Sequence, residues 1–512
     1  FKLIHTDYSY NGFTSFHFSK NKIKKIQIMS KFITKEVMAE IIHSARKILL
    51  QNGIKTRNIE LLNHASKNDR LVVKGENIFI SNDLLQSCLV HLKNNQACTK
   101  MSHDWRDMIA NKEDTQPPII KLTDLPYQYC DHKERKITPL TRQQVIQGTK
   151  LLHVLSEQKD IRGYSCGVPQ DTYPYLKAVE QYLIGFRYNR NGGGTIQSIA
   201  PEVEESFMKI RAIAEDWEDY SRRDLMLFSP SPMILDAEDL YLCFKEGIRL
   251  NSFMVGSMPM MGMTGPVNTI GVYILAIAEV LGAASILHAL FPTAKAYIYP
   301  HPQAMSLNSG QMAFGTIEHA RLEMLKKEVM EALDLPYYNL KDIMTSAQMP
   351  GSLAQGDKAL IFYTGIMAGY RAFNLMPLST DQGWSPIQAL LDIENLQSAW
   401  KSLDSTKLEG DIKEAEEVIV ETLESGSLFA EHTHTLMNML DSYDINLWQQ
   451  RYFTSESWID AGSPDEYKAL EEKVDSLTDS WDYHPNQQKM EQIYDIYLSL
   501  CRQFNTDPLK LD

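Results

Sequence analysis

The densest apolar stretch of the chain, residues 252–315, has the pattern of a β-α-β unit. A short apolar run at 253–256 has strand length, and a turn rich in Gly, Pro and Met follows it. Across residues 267–290 apolar side chains occupy nearly every helical face, which predicts a helix buried on several sides. Residues 295–299 then have the length of a second strand.

The helix of this unit is long enough to cross a lipid bilayer. Glu279 near its centre and His288 near its end argue against a membrane span. A carboxylate at the centre of a bilayer costs several kcal/mol, whereas a helix packed inside a protein can hydrogen-bond one. We therefore expect a core helix and no association with a membrane.

The strand-helix alternation of this unit recurs along the chain. Candidate strands lie at 161–167, 225–229, 252–256, 295–299, 342–347 and 371–378, and candidate helices at 173–186, 203–221, 238–249, 318–333 and 354–368. Such alternation predicts a parallel sheet. With about 300 residues to hold the units, a closed (β/α)₈ TIM-type barrel over residues 116–435 is more economical than an open, doubly wound sheet. No GxGxxG motif follows a strand.

The segments on either side of the predicted barrel have different patterns. Residues 29–115 predict a mainly helical region, with a helix ending at Gly53 and a hairpin at 71–80 that turns at Gly75. Residues 436–512 predict a C-terminal helical region. Residues 1–28 lack helical or strand periodicity and carry five Lys against one Asp. We expect this segment not to be part of the natural protein.

Charge and cysteine content exclude several classes of protein. The net charge is −14, and no stripe of Lys and Arg occurs outside residues 1–28, so we expect no nucleic-acid partner. Six cysteines without a CxxC pair fit free thiols in a reducing cytoplasm. His432 and His434 could share one face of a strand and bind zinc with a third ligand, but none is apparent. Hydrogen-bonded structural histidines are the favoured interpretation.

Several longer motifs carry a family resemblance. They are SPSPM (229–233), GMTGPVNTIGVYILAIAEVLGAASI (262–286), AYIYPHPQAMSLNSGQMAFG (296–315), DLPYYNLKDIMTSAQMPGSLAQGDKA (334–359), LFAEHTHT (428–435) and WQQRYFTSESWIDAGSPD (448–465). In this order they resemble the trimethylamine:corrinoid methyltransferase family. The resemblance implies a (β/α)₈ barrel that moves a methyl group from a methylated amine to cobalt in a cobalamin-type corrinoid. A separate corrinoid protein would supply this cofactor, and we also expect a homo-oligomer.

One departure from the family pattern bears on the substrate. Trimethylamine members carry pyrrolysine in the region that aligns with residues 345–350, where this chain has ordinary residues, Gln348 or Met349. The chain therefore resembles the non-pyrrolysine branch, whose substrates are quaternary amines such as glycine betaine. A quaternary ammonium expels a neutral tertiary amine, so the substrate's own charge supplies the activation. Gln348 and Met349 would then shape the site and position the substrate, and the corrinoid cofactor would carry out the bond-making step.

A quaternary ammonium has no N–H to donate and is best bound by aromatic faces. Candidates near the predicted strand ends are Tyr299, His301, Tyr338 and Trp384, although each could equally be a core or rim residue. The Met-rich turn contains Met260, Gly262 and Met263, which could dock the corrinoid protein or form ordinary soft packing.

Two other functional classes stay open at this stage. Asp342, Asp381 and His301 could serve a barrel hydrolase or lyase that needs no corrinoid. The chain could also bind betaine without methylating cobalt, and its sequence does not name the amine.

Overall fold

The computed structural model describes residues 32–94, 117–158, 160–194, 200–217, 222–236, 240, 243–244, 249–335, 340–375, 378–403, 411–442 and 452–511. The expected extension at 1–28, most of the expected helix at 238–249, and Tyr338 lie outside these residues. The domain boundaries inferred from the sequence stay predictions.

The N-terminal region combines helices with a small antiparallel sheet. Its elements are α1 (Lys35–Asn52), β1 (Ile54–Lys55), α2 (Ile59–Ser66), β2 (Leu71–Lys74), β3 (Asn77–Ile80) and α3 (Asn82–Asn94), and the strand order is β1-β3-β2. Thr34 caps α1 by accepting a hydrogen bond from Val37 N. Gly53 ends it at a φ of +66°, which favours glycine. The expected helix end and hairpin are confirmed.

Parallel strands form two further sheets. Their members are β4 (Ile119–Leu122), β7 (Ile161–Arg162), β8 (Arg222–Ser229), β9 (Arg249–Ser257), β10 (Lys295–Pro300), β11 (Leu340–Ile343) and β12 (Ala372–Leu375). One sheet has the order β10-β9-β8 and the other β11-β12-β4-β7. A third small sheet contains β5 (Gln128–Asp131), β6 (Lys136–Pro139) and β13 (Gly383–Trp384), with β5 and β6 forming a hairpin and β13 pairing with β5. The sequence patterns had not indicated this sheet.

The predicted parallel pairing is confirmed, whereas the described strands do not form one closed sheet. Within the described ranges, no backbone ladder joins β7 to β8 or β10 to β11. The fold is therefore mixed α/β, with two parallel sheets whose carboxyl ends carry the candidate site.

Helices cover these sheets. They are α4 (Arg142–Leu155), α5 (Lys177–Tyr188), α6 (Glu204–Glu215), α7 (Thr269–Leu290), α8 (Ile317–Ala332), α9 (Ser352–Met367) and α10 (Pro386–Ser402). One hydrophobic cluster joins the N-terminal region and α7 to β8–β10. The other joins β4, β11 and β12 to α4–α6, α9 and α10.

Helix α7 is the apolar helix predicted from the sequence. By length and composition it could cross a membrane, but 78% of its apolar window is buried inside the protein. Glu279 lies in its middle and is fully buried, and His288 is 6% exposed. Burial against α1, α3, β9 and β10 explains why apolar residues occupy nearly all of its faces.

After α10, the described residues form a helical region that begins before residue 436, the boundary inferred from the sequence. It contains α11 (Ile412–Ser425), α12 (Thr433–Ser442), α13 (Ser455–Asp460), α14 (Glu466–Asp479) and α15 (Gln487–Phe504). Helices α14 and α15 pack against the second hydrophobic cluster. There Tyr497 donates to Glu180 at 2.7 Å, and Trp481 donates to the Tyr188 carbonyl at 2.9 Å.

Candidate functional site

A buried network of charged side chains ties the carboxyl ends of β10 and β11 to helix α8. Lys326 of α8 donates to the Tyr299 hydroxyl at 2.9 Å and to Glu323, and its Nζ lies 3.0 Å from His301 Nδ1. Tyr299 donates to Asp342, and Asn374 of β12 also donates to Asp342, at 2.9 Å. Side chains thus connect β10, β11 and β12 where β10 and β11 lack a backbone ladder.

The network balances its buried charges. Burial would raise the pKa of Glu323, but the charges of Lys326 and Lys341 hold that pKa well below its ordinary value. Burial also lowers the pKa of Lys341 to about 8, although its Nζ lies 2.9 Å from Glu323. The Lys326 charge also holds the pKa of Asp342 below its ordinary value against the effect of burial. The carboxylates of Glu323 and Asp342 are therefore ionised at neutral pH, and Lys326 and Lys341 compensate their charges.

Tyr299 and His301 are already engaged by the protein. The Lys326 ammonium lies 4.6 Å from the centroid of the Tyr299 ring, and the His301 ring stacks on Tyr299 at 4.9 Å. Burial and the nearby Asp342 charge raise the pKa of Tyr299 well above its usual value, so the phenol stays neutral. The observed role of both residues is to fix a strand end, and their contact with substrate stays a prediction.

An additional aromatic ring lies beside this network. Phe228 of β8, Gly256 of β9 and Tyr299 of β10 are register partners across three adjacent strands, so they share one face of the sheet. A Cβ at Gly256 would collide with the Phe228 ring. The sequence analysis missed Phe228, which directly precedes the SPSPM motif. Its place beside Tyr299 follows from strand register, for which the local sequence carries no signal.

The loop after β11 contains the predicted positioning residues. Gln348 is exposed, and its Oε1 accepts a hydrogen bond from Ser379 Oγ at 2.7 Å. Met349 packs against the small cluster of Cys130, Ala347, Ala354 and Leu378. The backbone amides of Ser379 and Thr380 donate to Ala347 and Thr345, each at 2.8 Å. The loops that follow β11 and β12 therefore form one unit at the strand ends.

A cavity of about 490 Å³ opens beside this unit. Its walls come from the segments after β4 and β7, the start of α5, and the loop after β12. The lining residues are Leu125, Tyr127, Val168, Gln170, Pro174, Tyr175, Lys177, Ala178, Ala200 and Asp381. The volume is within the range of small-molecule sites. Asp381 follows directly on the Ser379–Thr380 segment that binds the 345–348 loop.

The cavity offers complementary groups for a zwitterion. Tyr127 and Tyr175 are 40% and 39% exposed, so parts of both rings are open to a ligand. Burial raises the pKa of Asp381, and a cation bound nearby would stabilise its ionised form. Lys177, whose Nζ donates to Gln170 at 2.7 Å, adds a positive charge to the wall. Ring faces and a carboxylate suit an ammonium group, and a lysine suits a substrate carboxylate.

The structure brings the other predicted site residues to different places. Trp384 is 2% exposed and belongs to the second hydrophobic cluster, where its Nε1 lies close to Gly148 of α4. This burial favours the core interpretation of Trp384, and its contact with substrate stays a prediction. Of the rival acid–base set, Asp342 and His301 belong to the Lys326 network, whereas Asp381 lines the cavity.

The Met-rich turn forms a partly apolar rim beside the strand ends. Met260 is half-buried, Gly262 is exposed with a φ of +79°, and Met263 is 56% exposed. Met261 N donates to the Gln303 carbonyl at 2.9 Å, which ties this turn to the loop after β10. That loop adds Leu307, which is 88% exposed and which the sequence analysis missed.

Glu279 of α7 holds two strand ends in place. Its carboxylate accepts hydrogen bonds from Ser231 Oγ and Met233 N, both at 2.8 Å, and from Ser257 Oγ. Ser231 and Met233 belong to the SPSPM motif after β8, and Ser257 ends β9. Glu279, which argued against a membrane span, therefore fixes the ends of β8 and β9 beside the candidate site.

The described residues contain no group of His, Cys, Asp and Glu that could hold a metal ion. His432 lies 3.2 Å from Glu421, and His434 lies 3.8 Å from Glu414. His432 is thus within hydrogen-bond distance of a carboxylate, whereas His434 is only at ion-pair distance from one.

Comparison with known proteins gives one extensive sequence match. The model of the family described as trimethylamine methyltransferase (MTTB) matches residues 208–492, more than half of the chain. No curated protein matches the chain significantly. Two solved structures are weakly similar: a hydroxylamine complex of MtmB and the Methanosarcina barkeri monomethylamine methyltransferase (MtmB). Each has a TM-score of 0.42 and 11% identity, with 90% and 94% of this chain and 90% of each structure covered. Similarity at this level carries no structural or functional argument.

Proposed function

The chain belongs to the trimethylamine methyltransferase (MTTB) family, and we propose that it transfers a methyl group from a quaternary amine to the Co(I) centre of a corrinoid protein. Members of this family are methyltransferases that pass methyl groups from methylamines to corrinoid proteins. The finer part of the proposal is the substrate, a betaine-type quaternary amine with glycine betaine as the simplest example.

The cavity beside the 345–348 loop is the observation that carries this proposal. Its tyrosines and Asp381 suit the ammonium end of a betaine, and Lys177 suits the carboxylate end. The cavity lies at the carboxyl ends of β4, β7 and β12, where parallel α/β folds place their chemistry. The loops from both β11 and β12 contribute to this face of the protein.

The proposed reaction requires no nucleophile from this chain. The electron pair of Co(I) forms the bond to the methyl carbon as the C–N bond breaks, and the electrons of that bond stay on nitrogen. The products are methyl-Co(III) and a neutral tertiary amine. The residues of the cavity would orient the methyl group and exclude water. Ordinary residues at 345–350 are compatible with this substrate because its leaving group is already activated by charge.

The rim beside the strand ends suits the partner. Met263 and Leu307 are exposed, and Met260 and Gly262 belong to the same turn as Met263. Apolar, flexible side chains of this kind fit a surface that docks another protein. We include this rim in the proposal as the docking face for the corrinoid protein, which supplies the methyl-accepting cobalt.

A closed (β/α)₈ barrel is the architecture that this proposal assumes. Strand β12 near the end of the series pairs in parallel with β4 at its start, as closure requires. The Tyr299–Asp342 hydrogen bond crosses from β10 to β11, where backbone pairing is lacking. These two contacts support the barrel.

The substrate proposal is tested with Tyr127→Leu, Tyr175→Leu and Asp381→Asn. Each ring contributes about 0.5–2 kcal/mol to cation binding, so each tyrosine variant should raise the KM for glycine betaine about 2- to 30-fold. Formation of methyl-Co(III) from cob(I)alamin is followed by absorbance. Tyr363→Leu is the matched control, because Tyr363 is 42% exposed and lies on α9 away from the cavity.

Three outcomes would contradict the proposal. The first is demethylation of trimethylamine at a rate comparable to that of quaternary amines. The second is the absence of methyl-Co(III) formation from every quaternary amine tested. The third is an unchanged KM in all three cavity variants, which would place the substrate elsewhere.

A further inference from the structure

The aromatic residue at the end of helix α15 contacts the wall of the candidate cavity. Phe504, the last residue of α15, stacks on the ring of Tyr173 with the ring centroids 5.1 Å apart, and it meets the ring of Tyr175 edge-on at 5.6 Å. The two tyrosine rings also meet edge-on, at 5.6 Å. Stacked and edge-on pairs at these separations are stabilising. We call Tyr173, Tyr175 and Phe504 the aromatic triad.

One member of the aromatic triad lines the cavity. Tyr175 belongs to the cavity wall, whereas Tyr173 and Phe504 do not. The protein covers only part of the Tyr175 side chain, and an exposed side chain changes rotamer within nanoseconds unless its neighbours hold it. The two edge-on ring contacts restrict this motion. The triad therefore determines where the Tyr175 ring lies in the cavity wall.

Glu180 of α5 fixes the two chain segments that supply the triad. Thr172, directly before the tyrosines, donates to one oxygen of Glu180 at 2.6 Å, and Tyr497, two turns before Phe504, donates to the other at 2.7 Å. Arg142 donates to both oxygens, each at 2.7 Å, and compensates the buried charge. A buried, charge-assisted contact thus sets the approach of Phe504 to Tyr175.

Helix α15 is attached to the protein by a buried face that does not include Phe504. The buried residues of that face are Met490, Ile493, Tyr497, Leu500 and Cys501. The Tyr497 hydroxyl also accepts a hydrogen bond from Leu509 N at 2.7 Å. Phe504 is only partly buried. Its ring is therefore a small part of what holds α15, and replacing it should leave the helix in place.

A ring that is already fixed favours the binding of a cation. A quaternary ammonium is attracted to the face of an aromatic ring, so the attraction depends on the position of that ring. A side chain that is ordered before the ligand arrives also avoids the entropy loss of being ordered on binding. In the proposed function the tyrosines contact the ammonium end of the substrate and Lys177 contacts its carboxylate end. Both groups must therefore be placed for one ligand.

We propose that Phe504 is a positioning residue that holds the Tyr175 ring in the cavity wall, so that the C-terminal helix α15 completes the site for a quaternary ammonium. The identity of the ligand rests on the proposed function, whereas the placement of the ring rests on the contacts of the aromatic triad. Phe504 acts through Tyr175 and takes no part in the transfer of the methyl group.

Kinetics of methyl-Co(III) formation from cob(I)alamin and glycine betaine test this role. Phe504→Leu keeps an apolar side chain but removes the ring, and it should raise KM about 2- to 10-fold. The kcat should stay within about twofold of wild type, because the lost contact affects binding and not the chemical step. Phe504→Tyr keeps the ring and should retain the wild-type KM.

A double-mutant cycle separates positioning from a general structural effect. If Phe504 acts through Tyr175, the double variant Tyr175→Leu/Phe504→Leu should have the same KM as Tyr175→Leu alone. Tyr483→Leu is the matched control. Its ring packs against His153, with centroids 5.0 Å apart, and so also joins the C-terminal segment to the body of the protein without lining the cavity. This variant should retain the wild-type KM, and circular dichroism should show that every variant is folded.

Fluorine NMR of protein labelled with 3-fluorotyrosine tests the placement of the ring without any reaction. The resonance of residue 175 is assigned with Tyr175→Phe. In the wild type it should differ from the value of the unfolded chain, because neighbouring rings hold it. Phe504→Leu should move it most of the way to that value, whereas Phe504→Tyr and Tyr483→Leu should leave it displaced.

The outcomes distinguish this inference from the proposed function. An unchanged KM in Phe504→Leu, where Tyr175→Leu raises KM, would overturn the inference and leave the proposed function standing. Additive increases in the double variant would also overturn it. If no quaternary amine is demethylated, the proposed function fails and the resonance decides the inference. A displaced resonance that depends on the ring of Phe504 supports the positioning role, and a resonance at the unfolded value in the wild type overturns it.

Discussion

Adjacent lysines of α8 have opposite environments, although the sequence does not distinguish them. Lys326 is 1% exposed and contacts Tyr299, His301 and Glu323. Lys327 lies near the surface, where it pairs with Glu331 and donates to the Ala368 carbonyl. A rotation of about 100° between consecutive residues separates a structural charge from an ordinary surface charge, because α8 places only Lys326 over the strand ends.

Lys326→Met should destabilise the fold far more than Lys327→Met. Removing Lys326 leaves the carboxylates of Glu323 and Asp342 with less compensation, and loss of one member of a buried ionic network costs about 3–5 kcal/mol. The Lys327 variant should stay within about 1 kcal/mol of wild type. Urea unfolding at pH 7.5 measures both, and equal midpoints for the two variants would show that the network does not support the fold.

At the scale of elements, α7 organises the first hydrophobic cluster through close packing. Gly282 lets it approach the N-terminal region, because a Cβ there would lie 2.6 Å from the Cδ1 atoms of Leu49 and Ile54. Glu279, one turn earlier, binds the ends of β8 and β9. One helix thus connects the N-terminal region to the strand ends of the candidate site.

Replacement of helical glycines by alanine should have opposite effects in α7 and α9. Gly282→Ala should destabilise the protein by about 1–2 kcal/mol, because the extra methyl overpacks the contact with Leu49 and Ile54. Gly356→Ala in α9 should stabilise it by about 0.5–1 kcal/mol, because no atom lies within 4 Å of the added Cβ. Thermal unfolding of the two variants compares them directly. Stabilisation by Gly282→Ala would disprove the close-packing argument.

The whole molecule should lose stability in mild acid because it buries neutral histidines. Burial lowers the pKa of His288 to about 4 and that of His319 to about 3. Between those values and 6.5 the unfolded chain binds more protons than the folded chain, so stability is full above pH 6.5 and falls below it. Each histidine should cost about 2 kcal/mol at pH 5.

Histidine variants separate the acid destabilisation caused by buried histidines from the effect of titrating carboxylates. Burial raises the pKa of Glu279 and Asp392, so these groups oppose the loss in acid. His288→Gln should therefore reduce the difference in unfolding free energy between pH 7.5 and pH 5.0 by about 2 kcal/mol. His484→Gln is the control, since His484 has an 82% exposed side chain. A wild-type pH dependence in His288→Gln would contradict the assignment.

Local patterns in the sequence determined several elements. Residues around Gly53 predict a helix end, Gly75 predicts a hairpin turn, and the uniform apolar pattern of α7 predicts a buried helix; all three are observed. These features depend on caps, turn residues and periodicity over a few turns of chain, which is information that neighbouring residues carry. The motifs likewise indicated the family, which the family match confirms.

Tertiary structure alone decided the candidate site. Tyr127, Tyr175 and Asp381 line one cavity although up to about half of the chain separates them. Trp384, which the sequence also offered as an aromatic candidate, is buried in the core. The sequence shows that a residue is aromatic or charged, but its environment depends on which distant segments pack around it. Lys326, Phe228 and the two tyrosines of the cavity have no distinguishing local signal. Their roles follow from strand register and helix packing, and these are set by the free energy of the whole fold.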